Sequence, residues 1–182
     1  LKELIFLNEK IKNIVSVSSM AAVVLAATYI HIPVFIGTNT MVHLGNAACL
    51  LAAFLLGPVK GGLSAGIGSF LFDILNPLFI MSSPFTFLFK FVMAFVCGHF
   101  KNAFKFLKKE TLINLISGFL ASVIYTLLHL FKGFVVNRVI LGMTLESTIV
   151  LLCRSAIISG INTAVSLTVA TVLSIVLKKL KF

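Results

Sequence analysis

The chain has 182 residues, of which 59% are hydrophobic and 11% charged, with a mean hydropathy of +1.14 and a net charge of +10. A soluble domain carries about 25% charged residues, so this composition excludes one and points to a polytopic helical membrane protein. Residues 13–59 and 155–177 contain no Asp, Glu, Lys or Arg. The second run alone is 23 residues, long enough to cross a ~30 Å hydrocarbon core.

In chain order, breakers and charges predict six hydrophobic segments. A charged lead-in (Lys2, Glu3, Glu9, Lys10, Lys12) precedes the first, Lys12–Ile30. The start shows no cleavable signal pattern, because the first run is long enough to span and lacks an A-x-A-like site. An uncharged loop from His31 to Met41 follows. The second and third segments, Val42–Leu56 and Val59–Leu75, form a hairpin whose turn is Gly57-Pro58-Val59-Lys60. Proline ends the first of these runs because it has no N–H to donate. Gly61, Ala65 and Ser69, with Gly62 and Gly66 beside them, fall on one side of the third segment, where small residues allow close helix packing. A connection from Asn76 to Pro84 leads to the fourth segment, Pro84–Phe100, and a run with four lysines, Lys101–Glu110, leads to the fifth, Thr111–Phe131. A polar connection, Lys132–Met143, precedes the long sixth, Thr144–Leu177. The whole chain, 1–182, reads as a single domain.

The connections set the orientation. One set, holding both termini, the Lys60 turn and the 101–109 loop, carries eleven Lys, and the opposite set carries Lys132 and Arg138 alone. The positive-inside rule then predicts six crossings with the N- and C-termini cytoplasmic. It also disposes of nucleic acid as the reason for the basic charge.

With this topology the rise of ~1.5 Å per residue assigns each polar residue a depth. Asp73 lies one turn from the outer end of the third helix. Lys90 lies ~9 Å below the outer start of the fourth, and Arg154 ~15 Å below that of the sixth. Tyr125 and His129 occupy the last turns of the fifth; His43 and Asn46 occupy the first turns of the second. All seven fall in the outer half. Asn162 lies near mid-depth, where it could simply hydrogen-bond across helices. Ionisable groups at such depth pair with one another or line a wet cavity. Two readings stay open. Asp73 with Lys90 or Arg154 could be a structural ion pair in an accessory membrane subunit, or these groups could wall an outward-facing pocket for a polar small molecule.

On the first helix, Ser18, Ala22 and Ala26 recur every four residues, a smooth face for intramolecular packing or for another membrane protein. Cys49, Cys97 and Cys153 read as small hydrophobes without metal-ligand spacing. No phosphate-binding loop, H-E-x-x-H or nucleophile elbow is present, so neither enzyme chemistry, nor ATPase activity, nor a cofactor or metal is expected.

The hairpin Leu44-Gly45-Asn46 … Leu55-Leu56-Gly57-Pro58-Val59-Lys60-Gly61-Gly62 … Ala65-Gly66-Ile67-Gly68-Ser69 … Asp73, the segment Ser83-Pro84-Phe85-Thr86 … Lys90, and Ala22-x-x-x-Ala26 together resemble the substrate-binding S component of an energy-coupling factor (ECF) vitamin transporter. The resemblance implies an all-α bundle of six transmembrane helices in a bacterial plasma membrane. It implies capture of a vitamin from outside, docking through Ala22 and Ala26 onto a membrane coupling (T) subunit with two cytoplasmic ATPase subunits, and inward release by toppling. Carried over to this chain, the family's binding regions contain Asn39, Lys90, His129, Asn137 and Arg154. The nearest subgroups are those for riboflavin, pyridoxine-type vitamins and hydroxymethylpyrimidine. Lys90 and Arg154 together incline the reading to a pyridine or pyrimidine compound.

Overall fold

The structure is a computed structural model and describes residues 2–34 and 40–180. Five long helices dominate: α1 (Lys2–Tyr29), α2 (Gly45–Leu75), α3 (Ser83–Ala103), α4 (Glu110–Phe134) and α5 (Leu145–Lys179). All five lie in stretches long and apolar enough to cross a membrane. Between α1 and α2 the chain makes an antiparallel pair, β1 (His31–Val34) and β2 (Thr40–His43), with His31 opposite His43. This pair replaces the loop expected at 31–41.

The helix α2 is not a straight rod. Gly57 sits at φ +79°, left-handed backbone that glycine enters without a Cβ clash, and Pro58 follows it. The chain reverses there, so that arms 45–56 and 58–75 lie side by side. Cys49 Sγ is 3.8 Å from Ser69 Oγ, where a straight helix would separate residues 20 apart by ~30 Å. Gly61 lies so close to the first arm that a Cβ there would meet the Cα of Ala53 at 2.7 Å. Small side chains thus let the two backbones touch, the packing that substitutes for hydrophobic drive inside lipid.

The other elements run longer than their apolar cores. The amphipathic lead-in is continuous with α1. The helix α4 passes through Lys132 to Phe134 and continues as a π-helical run, Val135–Ile140, so the expected Lys132–Met143 connection shrinks to a few residues. Thr144 caps α5, accepting from the Ser147 N–H.

The bundle has two distinct ends. At the end where α5 finishes and the Gly57 reversal lies, Lys60 donates to Asn13 Oδ1 (2.6 Å), Lys101 donates to the Phe54 carbonyl (2.8 Å), and Glu110 pairs with Lys101 (3.5 Å) and Lys178. At the other end stand the β-hairpin, the start of α3 and the start of α5. The core between them is built on α2, with Leu50, Cys49, Phe72, Met93 and Cys97 fully buried.

Candidate functional site

At the hairpin end the helices enclose a cavity of about 150 Å³. Each wall follows helical spacing. From α3 come Thr86, Phe89 and Lys90; from α4, Tyr125, His129 and Lys132; from α5, Ser155, Ile158, Ser159 and Asn162. The two arms of α2 contribute Asn46 from one and Ser69 and Asp73 from the other, and β2 contributes Met41 and His43.

Of the residues singled out by sequence, His43, Asn46, Asp73, Lys90, Tyr125 and His129 all line this cavity. Lys90 is 3% exposed and donates to Asn46 Oδ1, while its Nζ lies 4.1 Å from the centre of the Tyr125 ring, a cation–π contact. The Tyr125 and His129 rings stack at 6.2 Å. Asp73 is buried, with Thr86, Lys90 and Lys132 as its polar neighbours.

The ion pair that was one of the two open readings is not formed. Asp73 reaches neither Lys90 nor Arg154 within 4.0 Å, and the ion pairs of Glu110 lie at the opposite end of the bundle. Lys90 turns instead to an amide and an aromatic face.

Two further residues lie off the cavity. Arg154 is half-buried on α5 and does not line it, because depth alone does not set direction. The cavity side of α5 is the Ser155, Ile158, Ser159, Asn162 stripe, and Arg154 falls ~100° of helical rotation from Ser155. Asn137 sits in the π-helical run, where its carbonyl accepts from the Met143 N–H at 3.0 Å, away from the lining. Asn39 lies outside the described residues.

Lys132 is the principal residue that sequence reasoning missed. In the sequence it reads as a loop charge, yet it continues the Tyr125, His129 spacing, donates to Ser82 Oγ (2.8 Å) and lies 5.0 Å from the Phe85 ring centre. Asn162 does bond across the bundle, but to a strand rather than a helix. Its Oδ1 accepts from the His43 N–H and its Nδ2 donates to the Met41 carbonyl, both at 3.0 Å, clamping β2 over the cavity. His43 Nδ1 is buried without a hydrogen-bond partner. Burial, then the nearby Lys90 and His31, hold the His43 imidazole well below its ordinary pKa of 6.5, so it is neutral at physiological pH.

On α1, Ser18, Ala22 and Ala26 are all exposed, while Ala21, Val24 and Thr28 on the other side are buried. The small-residue face is therefore not spent on packing within the chain.

A cavity lined by polar side chains at one end of a bundle of membrane-spanning helices is the arrangement of a solute-binding membrane protein. The family model for the ECF-type riboflavin transporter S component matches residues 8–179, and the chain belongs to that family. It is thus an S component, a multi-pass membrane protein. Two solved structures share the fold. One is the S component of a bacterial ECF transporter, with 20% identity, a TM-score of 0.64, and coverage of 93% of this chain and 99% of that one. The other is the S component for biotin from an ECF-type ABC transporter, with 20% identity, a TM-score of 0.51, and coverage of 88% and 92%. No curated protein matches the chain.

Proposed function

We propose that this chain is the vitamin-capture subunit of an ECF-type ABC importer, with riboflavin as its first candidate ligand. The observation that carries the reading is the coincidence of the family match with a buried polar cavity at one end of the bundle. The family supports riboflavin ahead of pyridoxine-type vitamins and hydroxymethylpyrimidine. The sequence-based inclination to those smaller rings used Lys90 and Arg154 together, and Arg154 lies off the cavity.

The fold-back at Gly57 supports six crossings, and the lysine asymmetry supports cytoplasmic termini, so the cavity opens outward. The ligand enters from outside and meets Asn46, Asp73, Lys90, Tyr125, His129 and Lys132. The exposed Ser18, Ala22, Ala26 face docks on the membrane T subunit, and two cytoplasmic ATPase subunits supply the energy for toppling. The chain itself performs no catalysis.

The test is ligand identification. The purified protein is extracted and its bound small molecules are identified by mass spectrometry, then riboflavin, pyridoxine and hydroxymethylpyrimidine are titrated. Tight riboflavin binding is expected, and failure to bind any of the three would sink the reading. Ala22→Trp is expected to abolish uptake while leaving affinity unchanged. Complex assembly that survives the bulky side chain would overturn the docking face.

A further inference from the structure

The ammonium of Lys90 is the most demanding group in the cavity. It is 3% exposed and lies within a membrane-spanning helix. A buried charge there is costly unless it is paired and fully hydrogen-bonded. An ammonium has three N–H donors. One goes to Asn46 Oδ1, and the Tyr125 face takes up part of the charge. Among the described residues no other acceptor engages Nζ and no carboxylate lies within 4.0 Å.

The other charged groups are close by: the arms of α2 run antiparallel with Cys49 beside Ser69, so Asn46, which Lys90 reaches, stands near the level of Asp73, and Asp73, Thr86 and Lys132 share the cavity with Lys90.

We infer that Lys90 is the residue that selects the ligand, by donating its remaining N–H groups to an acceptor edge of a flat heterocycle (a ring nitrogen beside a carbonyl) that shares the aromatic wall of Tyr125. This rests on the reading that the cavity binds a vitamin, and it specifies what the site requires of it: a ring with an acceptor edge facing Lys90. A ring lacking such an edge leaves the Lys90 donors unspent in the occupied site, and that loss discriminates against it.

The test changes the ligand first, so that it does not depend on a variant folding. Riboflavin and its 1-deaza and 5-deaza analogues, in each of which one ring nitrogen is replaced by C–H, are titrated into the purified protein by isothermal titration calorimetry. One of the two deaza compounds is expected to bind at least tenfold more weakly than riboflavin. In Lys90→Met, checked for folding by thermal unfolding, riboflavin is expected to weaken and the discrimination to vanish. Equal binding of all three flavins by the parent protein overturns the role of Lys90 while leaving vitamin capture intact. Discrimination that persists in a folded Lys90→Met protein overturns it equally. Failure of the parent to bind any flavin removes the flavin reading, and the inference falls with it.

Discussion

The folded α2 and the α4–α5 pair are built on opposite rules. The most apolar window of α2 is 61% buried, against 33% and 28% for the spans containing α4 and α5. Its arms are packed to backbone contact, so that a Cβ on Gly68 would meet the Ala21 carbonyl oxygen of α1 at 2.4 Å. Between α4 and α5, by contrast, runs an apolar groove of about 420 Å³, flanked by Phe119, Leu127, Ala156 and Leu167, and Gly160 faces open space. Asn114 Oδ1, Ser166 Oγ and Thr171 Oγ1 are buried on these two helices without hydrogen-bond partners, although Asn114 Nδ2 does reach Ser174 Oγ at 2.8 Å. Backbone contact makes α2 a tightly packed frame, and the groove with its unsatisfied polar atoms makes the α4–α5 contact the looser one. The cavity draws walls from both, Asn46, Ser69 and Asp73 from α2 and Tyr125, His129, Lys132, Ser155 and Ser159 from α4 and α5.

The contrast can be broken most severely on the packed side. Gly68→Val drives two methyls into the α1 backbone, and a loss of about 3 kcal/mol or of the folded protein altogether is expected in thermal unfolding. An unchanged melting temperature would show that the α1–α2 contact is soft. Next in size is Asn162→Ala, which strips two hydrogen bonds from β2 and is expected to cost about 2 kcal/mol. Its sharper readout is the ligand off-rate, which rises if the clamp holds β2 over the cavity and stays put otherwise.

A smaller effect follows from His43. Its pKa is depressed in the folded state, so the folded protein binds fewer protons than the unfolded chain. The stabilisation is complete above the unfolded value of about 6.5 and is lost as pH falls below it. The melting temperature is therefore expected to be flat above that pH and to decline beneath it, and His43→Gln should flatten the decline. The smallest effect is Gly160→Ala, where the new methyl meets nothing and helix propensity improves by about 0.5–1 kcal/mol. Destabilisation there would mean that α5 packs more tightly than its groove suggests.

What could be read from sequence follows from which signals are local. The reversal at Gly57-Pro58 was legible because both residues speak for themselves: a proline without a donor and a glycine free to take positive φ. Six of the cavity residues were legible because a polar side chain in an apolar run stands out and the lysine asymmetry orders depth. Azimuth was not legible, and so Arg154 was grouped with residues it does not join. Lys132 was hidden by the convention that a charge ends a span, although a long basic side chain at a helix end can turn inward as readily as outward. The β-hairpin gave no local sign. Pro33 interrupts its first strand and no two-residue turn signal sits between the strands; its tie to the bundle is made by Asn162, far along the chain.

That last tie bears on the order of assembly. The residues joined by the Asn162 clamp are 119 and 121 positions apart, and the clamp's donor and acceptor belong to the last helix of the bundle. During synthesis from the N-terminus, α1, α2 and α3 emerge and can associate while β2 still lacks its anchor. The binding cavity therefore gains its clamp on β2 and its Ser155, Ile158, Ser159, Asn162 wall only when α5 has been made and packed.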